Sequence, residues 1–365
     1  MGFGIAPRWG WIMGICIGHG SGSGQAGDSP GYGTGEVWEV RALVTGATGF
    51  VGSHLVEELV AMGHSVRVLV RPTSDMRWIG GLDIECRLGD VIGADSLDKA
   101  VEGMDWVFHV AGVTKARGLE SYMRANALGT FNVLKACAGR DSPPRRVVVL
   151  SSLAAWGPSW PSCPRQETEP CSPVSHYGLS KARAEDLACS FASSIPLVIL
   201  RPPAVYGPRD RDVLAFFRMV KRGLFVRIGG DERYVCMIHV KDLVQGILLA
   251  ATAQVPSGSI YSLSDGKVHT WTEVAEIMGQ IMGVSVTTVK VPLSLAWVAA
   301  LVSEVSAALL GLPPLYNREK LREMLQPGWT CSIDRSRAEL GFEPRIPLEE
   351  GLKETYLWYR DMKWL

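Results

Sequence analysis

One passage limits the fold of this chain more than any other. In RALVTGATGFVGSHLVEELVAMGH, residues 41–64, an apolar run passes through three glycines into a helical pattern. The run from Ala42 to Val44 reads as a strand, and the residues after Gly52 read as a helix. Gly46 permits a tight turn between them, Gly49 lets backbone approach a pyrophosphate at a helix N-terminus, and Gly52 lets the helix pack closely on the strand. The glycines are spaced three and three, not two and three as in the dinucleotide fingerprint of NAD dehydrogenases, so a turn that holds no ligand stays open.

Further strands are expected at Ser65 to Val70, Ile84 to Leu88, Trp106 to Val110 and Val147 to Leu150, with helices between them, one near Ser121 to Ala138. Such alternation predicts an α/β fold with a parallel, doubly wound sheet and right-handed crossovers. At the end of the second strand an acidic side chain would bond the ribose of NAD, whereas an arginine suits the 2'-phosphate of NADP. The chain offers Arg71, followed by Thr73 and Ser74 as hydroxyl donors, so NADP is favoured; Asp75 leaves NAD open. Asp90 and Val91 follow the third strand, where Asp90 can accept from an adenine amino group. His109, Val110, Ala111 and Gly112 follow the fourth and would run beside the cofactor. Each of these alone is equally a polar strand end.

The chemistry is concentrated downstream. Tyr177 and Lys181 stand four residues apart in HYGLSKARAE, a spacing that puts both on one helix face. A nearby ammonium favours the phenolate, so Tyr177 is expected to exchange a proton near neutral pH. Ser152, in SSLAAWGP at the carboxyl end of the fifth strand, can hydrogen-bond a substrate alcohol or carbonyl, or be a turn serine.

TGATGFVG, the GD after the third strand, VLSS, YGLSK and LRPPAVYGP, in that order, resemble the extended short-chain dehydrogenase/reductase family, over roughly residues 40 to 360. The resemblance implies a Rossmann domain with a smaller C-terminal substrate lobe, and a cofactor held by Gly46, Thr48, Gly49, Phe50, Val51, Gly52, Arg71, Asp90, Val91, Val110, Ala111, Gly112 and Pro202 together with Tyr177 and Lys181. It implies that Tyr177 is the catalytic acid/base and that Lys181 lowers its pKa while holding the nicotinamide ribose. Ser152 would orient the reacting oxygen, with Ser151 as a second choice, and Asn126 would help hold the site. Trp156 departs from the pattern, since many sugar-converting relatives carry tyrosine there.

Composition sets limits. A chain of 365 residues can hold 37–204 as a cofactor domain and 205–365 as mainly a substrate lobe. Net charge is zero with no basic run, which argues against nucleic acid. Eight cysteines without paired spacing read as reduced packing residues, and neither they nor the histidines form a metal pattern. Residues 1–36, rich in glycine, read as a disordered extension, and the cofactor fold is expected in the cytoplasm. Arg201, Tyr206, Arg209, Arg233 and Tyr234 lie in segments that relatives use near substrate or nicotinamide, yet each is as readily an ion-pairing or surface residue. Asp242 reads as scaffold at the start of a helix.

VPLSLAWVAALVSEVSAALLGLPP carries a single charge, Glu304. A buried helix, contact of 291–312 with a membrane surface, and a full span all compete for it. With the later LGF, LEEG and T-x-x-W pattern it resembles the branch of 3β-hydroxysteroid and sterol-4-carboxylate dehydrogenases, while RPTSD and FHVAG resemble dihydroflavonol reductase-like members. The expectation is therefore a nicotinamide-dependent oxidoreductase interconverting a secondary alcohol and ketone on a hydrophobic, small-molecule substrate. A nucleotide-sugar epimerase or dehydratase is the alternative and an NADP sensor the third reading. The helices near Ser121 to Ala138 and Tyr177 to Ser190 are also suited to a homodimer seam.

Overall fold

Apolar runs rich in β-branched residues form the centre of the molecule: β1 (Arg41–Thr45), β2 (Ser65–Val70), β3 (Glu85–Leu88), β4 (Trp106–His109), β5 (Arg146–Leu150) and β6 (Leu197–Arg201). Between them run α1 (Phe50–Ala61), α2 (Ala94–Val101), α3 (Gly118–Tyr122), a π-helical turn (Met123–Leu128), α4 (Gly129–Ala138), α5 (Leu153–Trp156) and α6 (His176–Cys189). The computed structural model describes residues 39–160, 162–309 and 317–365, and the expected extension over 1–36 lies outside them.

The second half contributes β7 (Ala204–Tyr206), α7 (Asp212–Lys221), β8 (Leu224–Ile228), β9 (Tyr234–Val235), β10 (Met237–His239), α8 (Val240–Thr252) and β11 (Ser259–Ser262). It continues through β12 (His269–Thr270), α9 (Trp271–Met282), β13 (Thr287–Val291), α10 (Leu293–Leu309), α11 (Arg318–Met324), β14 (Gly328–Trp329), α12 (Asp334–Leu340) and α13 (Leu348–Asp361). One seven-stranded parallel sheet runs in the order β3-β2-β1-β4-β5-β6-β11. The chain reverses direction across the sheet between β1 and β4, the switch point where open sheets of this kind bind ligands.

Strand alternation sends Ala42 and Val44 to one face of the sheet and Leu43 to the other. On the first face they meet Leu55, Val56 and Leu59 of α1 and Leu243 and Ile247 of α8. On the second, Leu97 of α2, Val133 and Leu134 of α4 and Ala188 of α6 complete the cover. β3 departs from this pattern, since all four of its residues are exposed. Its Glu85 pairs with Arg67, and charge of this kind discourages further strand addition at a sheet edge. A separate core of Phe217, Met278, Leu352 and Tyr359 holds α7, α9 and α13 together.

Two sequence expectations change. The apolar segment around Glu304 forms α10, which is not a buried helix: Ala296 and Ala300 face inward, while Val302 is 60% and Leu309 83% exposed. Among the described residues no helix is long and apolar enough to cross a membrane. Of the cysteines, Cys137, Cys236 and Cys331 are buried as packing residues, but Cys86, Cys163, Cys171 and Cys189 are exposed; Cys16 lies outside the described residues.

Candidate active site

The turn after β1 is shaped by glycine sterics. Gly46 has φ +77°, and a Cβ there would lie 2.6 Å from the Ala111 nitrogen, so the turn rests directly on the Val110–Ala111 backbone that follows β4. A Cβ on Gly52 would stand 2.1 Å from the Gly46 carbonyl oxygen. The close approach expected of Gly52 is therefore to the turn itself. Gly49 is the N-cap of α1, extended in backbone, and its N–H donates to the Gly46 carbonyl at 3.0 Å. No side chain caps α1 and no acidic residue lies in its first turn, which leaves the amides of Phe50, Val51 and Gly52 for an anion. Thr48 sits half-buried in the same turn.

Around this cradle the other cofactor candidates are unevenly placed. Arg71 is exposed, its backbone closed into a turn by the Ser74 hydroxyl at 3.0 Å. Asp75, the competing ribose partner, is held by Arg77 at 2.6 Å. One oxygen of Asp90 accepts from the Ile92 amide at 3.0 Å, and the carbonyl of Val91 accepts from Asn132 at 3.0 Å. The Pro202 carbonyl accepts from the Leu153 amide at 2.8 Å, which ties β6 to the first turn of α5.

Ser152, Tyr177, Lys181 and Asn126 converge at the ends of β4 and β5. Ser152 caps α5, its Oγ accepting from the Ala154 amide at 3.1 Å. Ser175 caps α6, accepting from the Gly178 amide at 3.1 Å. Gly178 then lies so near α5 that a Cβ would meet the Ala154 carbonyl at 2.3 Å. That contact brings half-buried Tyr177 to the Ser152 hydroxyl. One turn on, Lys181 Nζ donates to the Leu150 carbonyl at 2.8 Å. A Cβ on Gly112 would sit 3.2 Å from both Lys181 Nζ and Asn126 Oδ1, so the three residues pack closely together. Asn126 accepts from the Val113 amide at 2.8 Å and donates to the Ser180 hydroxyl at 2.9 Å. It stands in the π-helical turn, a distortion often found at functional sites.

Electrostatics depart from the expected phenolate. Burial pushes the Tyr177 phenol up to about 12, with the Ser152 hydroxyl bond pulling the other way. The Lys181 ammonium is itself drawn down to about 8 by burial, which Glu185 opposes. Desolvation sets the direction of both shifts.

Several candidates fall elsewhere. Ser151, the second choice beside Ser152, points away and donates to Glu185. Glu185 forms a buried ion pair with Arg201 at 2.6 Å, with side chains 4% and 3% exposed, and the guanidinium lies 4.6 Å from the centre of the Trp156 ring. Arg201 and Trp156 are thus structural partners. Tyr206 is buried against His239, Arg209 pairs with Glu57 at 2.6 Å, and Arg233 reaches Asp231 at 3.7 Å. Tyr234 lies in β9, paired with β12. Asp242 accepts from the amides of Arg345 and Ile346 at 3.1 and 3.0 Å, and the side chain that caps α8 is His239.

Sequence reasoning placed His109 beside the cofactor for its backbone and missed its side chain. The ring bridges Thr45 Oγ1 at 2.8 Å and Thr130 Oγ1 at 3.0 Å, and burial pulls its pKa down to about 3. Thr130 in turn donates to the Asn126 carbonyl at 2.6 Å, so a neutral, buried chain of hydrogen bonds links the end of β1 to Asn126. No local pattern marks it. Among the described residues no three side chains cluster as metal ligands.

Comparisons with known proteins identify the family. A model of the NAD dependent epimerase/dehydratase family matches residues 42–264. The chain is similar to a ceramide reductase of Caulobacter vibrioides, 32% identical over 324 residues that cover 88% of this chain and 95% of the relative. It is also similar to the 4-hydroxy-2-methyl-3-oxo-4-farnesyl-3,4-dihydroquinoline-1-oxide ketoreductase of Stigmatella aurantiaca, 30% identical over 86% of this chain and 95% of the relative. A solved structure of MoeE5 in complex with UDP-glucuronic acid and NAD superposes with a TM-score of 0.70 at 26% identity, covering 88% and 99% of the two chains.

Proposed function

This chain belongs to the NAD dependent epimerase/dehydratase family and is an enzyme, and from that premise we propose that it reduces a ketone on a hydrophobic substrate to a secondary alcohol, or the reverse, with Tyr177, Lys181 and Ser152 as its catalytic group. The observation that carries the reading is the meeting of Tyr177 with Ser152 while Lys181, on the same face of α6, is fixed at the Leu150 carbonyl beside Gly112. The hydrophobic class is drawn from the two reductases, whose names carry a ceramide and a farnesyl-bearing quinoline oxide.

The cradle of Gly46, Gly49 and the free amides of α1 fits a dinucleotide pyrophosphate, since no side chain caps α1 and no acidic residue lies in its first turn. A nicotinamide held there supplies the hydride for reduction, or accepts it in oxidation. The phenol of Tyr177 gives its proton to the carbonyl oxygen in reduction and takes one from the alcohol in oxidation. With Ser152 Oγ held in place by the Ala154 amide, its O–H, which faces the Tyr177 phenol, would turn to donate to the oxygen on which charge develops. Lys181 spends one N–H on Leu150 and keeps two for ribose hydroxyls. Arg71, exposed and with Asp75 occupied by Arg77, supports NADP as the preferred cofactor.

The test combines enzyme and NADPH or NADH with ceramide, sterol, flavonoid and nucleotide-sugar panels and follows the absorbance of the reduced nicotinamide. Tyr177→Phe is expected to bind cofactor normally and lose about 10²- to 10⁴-fold in turnover; undiminished turnover would rule the assignment out. Arg71→Glu is expected to shift the NADPH/NADH ratio of kcat/KM by about 10- to 100-fold toward NADH, the value of a lost charged hydrogen bond. A second reading is favoured by the likeness to MoeE5: a nucleotide-sugar conversion in which the cofactor is regenerated. It would show as product formed without net absorbance change.

A further inference from the structure

Resting on the oxidoreductase reading above, we propose that Glu319 of α11 is a positioning residue for Tyr177, acting from the second half of the chain on the first turn of the catalytic helix. Three amides at the start of α6 need partners from outside the helix, those of His176, Tyr177 and Gly178. Ser175 takes the third, and α6 has no acidic residue in its own first turn. Glu319 supplies the missing carboxylate from 143 positions away: its Oε1 accepts from the His176 amide at 2.9 Å, and the His176 ring Nδ1 lies 2.9 Å from the same oxygen. Negative charge is favourable at a helix N-terminus, and here it holds the residue immediately before the phenol.

Glu319 is itself firmly placed. Asn317 caps α11, accepting from the Lys320 amide at 2.7 Å. The preceding Arg318 is clamped by Glu304 of α10, which accepts from both its amide and its Nε at 2.7 Å. Leu321 is fully buried, and Trp329 donates to the Glu323 carbonyl at 3.0 Å. The carboxylate thus reaches α6 from an element anchored at both ends. The half-exposed contact with the His176 ring is of a kind that contributes little to stability. The direction of the first helical turn is another matter, because a displacement of roughly 1 Å at a reacting group can cost about 100-fold in rate. Removing Glu319 therefore frees the turn that carries Tyr177 without opening the fold.

The experiment measures kcat, KM, cofactor Kd and melting temperature of the full chain for Glu319→Ala, Glu319→Gln, His176→Ala and Tyr177→Phe, with a ketone that the unaltered enzyme reduces. Glu319→Ala is expected to lower kcat by about 10- to 100-fold while leaving KM, cofactor Kd and melting temperature close to the parent. Glu319→Gln keeps an oxygen for the His176 amide and should recover most of the loss; His176→Ala keeps the backbone bond and should lose less than Glu319→Ala. Unchanged kcat in Glu319→Ala beside an inactive Tyr177→Phe overturns the positioning role and leaves the oxidoreductase reading intact. A rise in KM alone, or a drop in kcat that tracks melting temperature and is no better in Gln than in Ala, overturns it as well. An active Tyr177→Phe sinks the reading on which the proposal rests.

Discussion

Two apolar helices, α1 and α10, are treated in opposite ways by the rest of the molecule. α1 buries Gly52, Leu55, Val56 and Leu59 between the sheet and α8. α10 is richer still in apolar residues but turns its small ones, Ala296, Ala300 and Ala307, inward and leaves Leu295, Val298, Leu301, Val302 and Val305 outside. Apolar content therefore does not decide burial. What decides it is the size of the contact stripe against the neighbour: at Gly52 the absent side chain lets α1 descend onto the turn, so the large residues beyond it reach the core, whereas alanines on α10 make a narrow seam that, among the described residues, leaves most of its large side chains exposed.

That contrast can be broken in order of effect. Gly52→Ala puts a Cβ 2.1 Å from a backbone oxygen that has nowhere to go, and is expected to cost about 3 kcal/mol or more and abolish dinucleotide binding, read by calorimetry and cofactor titration. A variant that still bound cofactor normally would show the turn to be far softer than drawn. Leu55→Ala, fully buried, should cost about 3 kcal/mol in denaturant unfolding. Acid should also act on α1: burial holds His54 down to about 4, its ring nitrogen lying 2.9 Å from the Pro208 carbonyl. The unfolded chain takes up a proton below its ordinary 6.5 that the folded chain refuses. Stability is therefore fully present above that pH and falls by about 2 kcal/mol between 6.5 and 5. Unfolding curves at the two pH values should show that much less loss in His54→Gln. Smallest of all, Val302→Ser should stay within about 0.5 kcal/mol of the parent, although the same exchange inside α1 would be severe.

The first half of the fold was legible because its signals are local. The strand boundaries of β2 match the expected Ser65 to Val70, and β1 extends the expected run by one residue at each end. Glycine punctuation and the i, i+4 relation of Tyr177 and Lys181 need no knowledge of distant chain. What failed needed tertiary distances. Ser151 stayed a second choice beside Ser152 in VLSS until Glu185 claimed it, and Arg201, equally a site or an ion-pairing residue by sequence, proves to pair with the same carboxylate. The expected helix over Ser121 to Ala138 contains a π-helical turn at Met123–Leu128, from which the Asn126 side chain bonds Val113 and Ser180. The upward shift of the Tyr177 phenol was not legible for the same reason: spacing places Lys181 on the same face, but only depth reveals the desolvation.

The π-helical turn from Met123 to Leu128 leaves this stretch wound with one residue more than an α-helix would use. Its length is consequently a coded quantity. Deleting any single residue there would let the turn rewind as an α-helix, carrying Asn126 off the Val113 backbone while barely changing composition or hydropathy. In a lineage of such chains, gaps in this segment would then mark loss of the reaction more reliably than substitutions do.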